Sequence, residues 1–268
     1  MAHLLKSLMR FTGFLLKGLS LWLLCATISV ADAQHDITVW TYYSDAPFIT
    51  QEEHGLSYEF IDLLNHYSRT HEGLKDYHFK LELVPRKRLN RNLSDNVPGM
   101  VLFVNWSWMG DKNRTKYLWS DEIIYDRNEI VSRAQGKHPN RVNYLDESSL
   151  KGLVFGGVSG HFYKGLEDAF KSGDIIRLDV RNEEQSLDLL LRERIDITSV
   201  SSSVLNFMLR SKGIESEIYI SPIPMISYTR HLLITQHYKN LESDINQFIS
   251  SLKHSPEWHG IKQKYAVR

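Results

Sequence analysis

Strand-like and helix-like segments alternate along residues 36–104 and again along 150–209, and no other feature constrains the fold as tightly. In the first series Asp36–Tyr42 (DITVWTY) predicts a strand. Leu56–Ser68 predicts a helix, with Leu56, Phe60, Leu63, Leu64 and Tyr67 at helical spacing. Phe79–Val84 (FKLELV) alternates as a second strand and Pro85 ends it. Arg86–Asn92 reads as a short basic helix or turn, and Gly99–Val104 as a third strand. Its core, Met100–Val104, is too short for a buried helix and rich in strand-forming residues. The second series predicts strands at Leu153–Gly157, Ile175–Val180 and Ile195–Val200, with helices at Phe162–Lys171, Glu183–Arg192 and Ser203–Leu209. Two such series argue for an α/β chain with parallel neighbours and two lobes. Ile218–Ile234 then holds two strand-like runs split by Pro222 and Pro224. Leu241–Leu252 is an amphipathic helix and Pro256–Tyr265 a last short one, expected to return to the first lobe.

The first thirty-odd residues stand apart. Lys6, Arg10 and Lys17 precede the apolar run Leu19–Val30, and Ala31-Asp32-Ala33 follows it. This is the pattern of a secretory signal cleaved after Ala33. The alternative is a retained anchor, for which the run after Lys17 falls short of the roughly 18–20 residues of a spanning helix. Without that segment the totals of 32 basic and 32 acidic residues lose Lys6, Arg10, Lys17 and Asp32. That leaves 29 and 31, a net charge of −2, and no electrostatic case for nucleic acid. Cys25 is the only cysteine, so the chain beyond it has no disulfide framework and no thiolate.

The stretch after the third strand carries the densest chemistry. Asn105–Thr115 holds Trp106, Trp108 and Arg114 at the end of a buried strand, where α/β proteins commonly place a ligand. The plainer account is that the tryptophans are core and Arg114 is a surface charge. Enzyme signatures are absent. Gly157-Val158-Ser159-Gly160-His161 is not a nucleophile elbow, and its glycines are out of register for a dinucleotide loop. The histidines show no metal-ligand spacing.

Taken in order, several short features resemble the bacterial extracellular solute-binding proteins of family 3, the polar-amino-acid type. They are Ala46-Pro47-Phe48; Gly55 through Phe60; Lys112-Asn113-Arg114 followed by Lys116-Tyr117-Leu118-Trp119-Ser120-Asp121; Ser149-Leu150-Lys151-Gly152; Gly156 with Ser159-Gly160; Arg194-Ile195-Asp196; and Trp258–Tyr265 (WHGIKQKY). The resemblance implies a type II periplasmic-binding fold, two α/β lobes joined by a two-strand hinge. Lobe 1 would be residues 34–133 plus 225–268, and lobe 2 residues 134–224. The hinge strands would cross near Glu129–Arg133 and Pro222–Tyr228.

The same resemblance assigns the cleft. Arg114 falls where amino-acid binders hold the ligand carboxylate, a role suited to a guanidinium fork. Asn105, Trp106 and Trp108 would line the first wall, and Tyr43, Asp45 and Phe48 the first loop. Arg88, beside Arg86, follows the second strand. From the second lobe come Ser159, His161 and Phe162, expected at a helix N-terminus, and Ser201. Ser201-Ser202-Ser203 stands where amino-acid binders carry an aspartate for the ligand's ammonium, so either Asp45 substitutes or the solute is not an ordinary α-amino acid. The implied activity is capture of a small polar or anionic solute in the periplasm by a monomer feeding an ABC-type permease. No cofactor, metal or catalytic residue is expected. A ligand-sensing subunit for a membrane receptor is the alternative, and a dehydratase-like enzyme with His161 or Asp45 as its acid a third.

Overall fold

A computed structural model describes residues 34–136 and 139–268; the leader expected before Gln34 lies outside the described residues. Strand β1 (His35–Thr41) leads to helix α1 (Leu56–Ser68), β2 (Tyr77–Leu83), α2 (Arg86–Ser94) and β3 (Met100–Val104). β1 pairs in parallel with both β2 and β3, as the alternation predicts. Helix α1 buries Leu56, Phe60, Ile61, Leu63 and Leu64 on one side. It starts at Gly55, where φ is +130° and a Cβ would lie 2.5 Å from the Phe48 carbonyl oxygen. Only glycine lets the first loop fold back there, with the Leu56 and Ser57 amides donating to Pro47 and Phe48.

The loop after β3 is tied by buried Asp111. Its carboxylate accepts the backbone N–H groups of Thr115, Lys116 and Tyr117 at 2.8, 3.0 and 3.1 Å and the Trp119 indole at 2.9 Å. Burial pushes this carboxyl up, but the four hydrogen bonds outweigh it and hold the group below its usual range. Strands β4 (Leu118–Trp119) and β5 (Ile124–Arg133) follow.

The second series is β6 (Val154–Val158), α3 (Glu167–Ser172), β7 (Ile176–Val180), α4 (Glu183–Leu191), β8 (Ile197–Ser201) and α5 (Ser202–Lys212). β6 pairs in parallel with β7 and β8. Helix α3 begins five residues later than the sequence suggests. Gly165 sits at φ +89°, and the buried Tyr163 hydroxyl accepts the Val158 amide at 2.8 Å. The expected helix N-terminus at Ser159–Phe162 is therefore a loop, and its amides are not aimed as a helix end would aim them.

Strands β9 (Ile218–Ile220) and β10 (Ile226–Ile234) complete the sheet, ordered β2-β1-β3-β10-β5-β8-β6-β7 with β4 on β10 and β9 on β5. β10 carries the join. Ile226–Arg230 runs antiparallel to β5, whereas His231, Leu233 and Ile234 pair with β3. Helices α6 (Glu242–Leu252) and α7 (Pro256–Lys264) return to the first series as expected. They set Phe248 and Trp258 edge-on to Phe60, at 5.5 and 5.9 Å between ring centroids.

Candidate ligand-binding cleft

The alternation of β10 (ISYTRHLLI) puts Tyr228 and Arg230 on one face and Thr229 and His231 on the other. Arg230 is the last residue of β10 paired with β5, so its side chain emerges where the two halves of the sheet meet. It is 2% exposed, and its partner Asp126 on β5 is fully buried. One Asp126 oxygen accepts Arg230 Nε at 2.8 Å, and Nη2 lies in ion-pair contact with the same oxygen, also at 2.8 Å. Nη1 donates to the Phe103 carbonyl at 3.2 Å, and Nη2 also reaches the Tyr228 hydroxyl at 3.3 Å. These hydrogen bonds use three of the five guanidinium N–H donors. Aromatic rings enclose the rest. The guanidinium carbon lies 4.8 Å from the Tyr43 and Phe48 centroids, 5.4 Å from Trp108 and 5.3 Å from Tyr228.

Asp126 also fixes the start of α5. Ser202 Oγ, the Ser203 amide and Ser203 Oγ donate to it at 2.6, 3.1 and 2.9 Å. Burial alone would lower the Arg230 pKa, but Tyr228, Tyr43 and Asp126 raise it and keep the cation charged. Burial pushes the Tyr43 and Tyr228 hydroxyls up, so both stay neutral.

Two acidic residues, one from each series, meet in this cleft. Asp45 stands on the loop after β1, and Glu183 is the first residue of α4, whose amide donates to Asp45 Oδ2 at 3.4 Å. Glu183 accepts the Ser201 amide at 3.2 Å and the Ser201 hydroxyl at 2.8 Å. A carboxylate from α4 thus reaches the end of β8 and is anchored on Ser201. Burial, then the charge of Asp45, push Glu183 up to about 7 against the Ser201 hydrogen bonds and Arg230. Asp45 is raised by burial, partly offset by the Glu183 amide.

The residues singled out from the sequence divide sharply. Tyr43, Phe48 and Trp108 surround Arg230. Asn105 donates to the Thr229 carbonyl at 3.0 Å, and Asp45 and Ser201 both meet Glu183. His161 stands on the 159–166 loop, its pKa lowered by burial and by Arg86 and Arg177. Arg177 donates to the His161 and Val158 carbonyls. Five others lie apart. Arg114 is exposed, at φ +54°, with its guanidinium carbon 4.8 Å over Trp106. Trp106 packs on His231, on the opposite face of β10 from Arg230. Arg88 is an exposed partner of Glu82 at 3.2 Å. Phe162 is 74% exposed, and Ser159 is exposed with its amide bonded to Val180. The guanidinium inside the aromatic cluster therefore belongs to Arg230 rather than Arg114. Sequence reasoning missed Arg230, Asp126, Tyr228 and Glu183. An arginine and an aspartate within otherwise strand-like segments were the available signal. Among the described residues no group of three or more His, Cys, Asp or Glu could hold a metal ion.

No family model and no curated protein matches the chain. Solved structures do. The GluR0 ligand-binding core of Nostoc punctiforme, in complex with L-glutamate, is 18% identical. The match covers 85% of this chain and 98% of that one, with a TM-score of 0.64. An ancestral arginine-binding protein bound to arginine is 15% identical over 87% of this chain and 99% of its own, again at 0.64. The BvgS VFT2 domain of Bordetella pertussis is 16% identical over 86% and 92%, at 0.59. The chain has the type II periplasmic-binding fold. In that fold two α/β lobes are joined by two strands, here β5 and β10, and the Asp126–Arg230 pair lies on those strands. This is the fold of the family 3 solute-binding proteins. No helix among the described residues is long and apolar enough to cross a membrane.

Proposed function

We propose that the chain is a periplasmic solute-binding protein that closes its two lobes, residues 34–133 plus 225–268 and residues 134–224, around a small polar solute. The observation that carries this is the meeting of groups from both series at the crossing of β5 and β10. Tyr43, Asp45 and Trp108 come from one side, and Glu183 and Ser201 from the other. Solved proteins of this fold were captured with glutamate and with arginine, which supports an amino-acid-like ligand.

The cleft chemistry narrows the class. Its one buried guanidinium is largely occupied by Asp126 and the Phe103 carbonyl. Asp45 and Glu183, in contact through the Glu183 amide, have no ion-pair partner among the described residues and stand beside aromatic faces that favour a cation. An amino or guanidino group on the solute is therefore preferred over a simple anion. The closed form would be presented to an inner-membrane permease.

A thermal-shift screen of amino acids, small carboxylates, amines and oligosaccharides tests the proposal. Amine-bearing compounds are expected to raise the melting temperature by mass action, with saturable binding by calorimetry. If no compound in the panel raises it, the proposal fails.

A further inference from the structure

The contact between Asp45 and Glu183 has a consequence for how the cleft closes. The Glu183 amide donates to Asp45 Oδ2, so the first-series loop touches the start of α4 directly. The other Asp45 oxygen, Oδ1, is buried, and no hydrogen bond of normal length and angle reaches it, although the Asn182 side chain lies close. Glu183 is held on the far side by the Ser201 amide and hydroxyl. The Asp45 carboxyl thus sits against the Glu183 backbone where the halves touch, close enough for its charge to act on the Glu183 carboxyl.

We propose that Asp45 and Glu183 form a proton-held latch: the closed cleft keeps one proton on the pair, and the cleft opens as that proton leaves. The inference rests on reading the cleft as one that opens and closes around a solute. The groups facing the pair do not neutralise it. Arg181, Asn182 and Glu184 surround Asp45 from the start of α4 and the residues just before it, the glutamate offsetting the arginine. Glu183 feels Ser201 from β8, Arg230 and Tyr228 from β10, and Tyr163 from the loop before α3. Arg230 is already paired with Asp126. Two ionised carboxylates in this water-poor contact repel each other, and protonating one removes the repulsion.

In the open form each group meets water and returns toward its ordinary value, so opening releases the proton to solvent. The direction agrees with the upward displacement of both groups in the closed form, Glu183 reaching about 7. Closure is then favoured below neutrality and weakened as pH rises through it. A cationic group on a solute would enter the same negative contact in place of the proton.

The only cysteine is Cys25, so a Cys25→Ser background allows clean labelling at Asn90→Cys on α2 and Ser172→Cys on α3, both exposed positions. Single-molecule energy transfer between the labels, with no solute present, is recorded from pH 5 to pH 8.5. The ratio of closed to open molecules is expected to fall by about tenfold or more, the factor that one pKa unit of difference supplies. Glu183→Gln and Asp45→Asn are each expected to flatten that dependence. A distance distribution that does not change with pH in the parent overturns the latch. So does a pH response that survives unchanged in both variants. Because no solute is used, a screen that finds no ligand would sink solute capture while leaving this measurement to stand or fall alone.

Discussion

Asp126 and Arg230 meet across the two strands that connect the halves of the molecule, one carboxylate oxygen lying 2.8 Å from both Nε and Nη2 of the guanidinium. The pair does more than neutralise itself. Asp126 ties down the first residues of α5, and Arg230 holds the Phe103 carbonyl at the end of β3 and the rings of Tyr43 and Phe48. One ion pair thus links both series to the crossing strands.

Breaking that pair from one side should be costly. Arg230→Met leaves Asp126 ionised and buried, a loss of about 3–5 kcal/mol for a pair of this kind. Asp126→Asn added to Arg230→Met removes the stranded charge, so the double variant should unfold at a higher urea concentration than Arg230→Met alone. Denaturation midpoints of the single and double variants measure the coupling. Equal midpoints would show that the charge is not buried as described.

The loop that bears Trp106 and Trp108 depends on Asp111. Replacing it by alanine removes an acceptor from three backbone amides and one indole. The expected loss is about 2–3 kcal/mol, the scale of hydrogen bonds to a charged group. Because the folded-state pKa is depressed, this stabilisation is present above the ordinary aspartate value and is lost as pH falls through the lower folded one. Urea titrations at pH 7 and pH 3 should therefore show a smaller difference between parent and Asp111→Ala at the lower pH.

Arg114 and the ring that packs over Arg230 should separate in binding. Arg114 is exposed against Trp106, so Arg114→Ala is expected to leave solute affinity within about threefold, a change below 1 kcal/mol. Trp108 packs on Tyr228 at 4.7 Å between centroids and faces the Arg230 guanidinium. Trp108→Ala should weaken binding by about tenfold or more. Calorimetry with whichever compound the screen yields compares them. A large loss in Arg114→Ala would return the carboxylate-holding role to that residue.

The difference between these arginines shows what the sequence could and could not reveal. The strands and helices of both series were legible because each carries its own period, as Leu56, Phe60, Leu63 and Leu64 do on α1. Helix α3 was overextended because Tyr163 turns inward to bond the Val158 amide, a tertiary contact that periodicity does not encode. Arg230 and Asp126 are 104 residues apart. Their meeting depends on β10 crossing from β5 to β3, which no local pattern specifies. Glu183 looked like an ordinary acidic residue in a helix's first turn. Only the return of β8 puts Ser201 against it and turns a favourable helix-end charge into a cleft group.

Glu183 also makes a prediction about folding stability. Its pKa rises from an ordinary 4.5 to about 7 in the folded protein, so between those values the native state holds more protons than the unfolded chain. Stability must then fall as pH rises from about 4.5 to about 7, and this group contributes no further slope above that. Asp45 works in the same direction, its carboxyl also being raised. Glu183→Gln cannot ionise yet keeps an oxygen to accept from Ser201, so its stability should vary less across this window. At pH 8, where the parent carries the buried charge, the variant should match or exceed it. Urea midpoints at pH 5, 6, 7 and 8 for parent and variant are the measurement. Parallel curves would mean that Glu183 meets water in the folded state and ionises at its ordinary value.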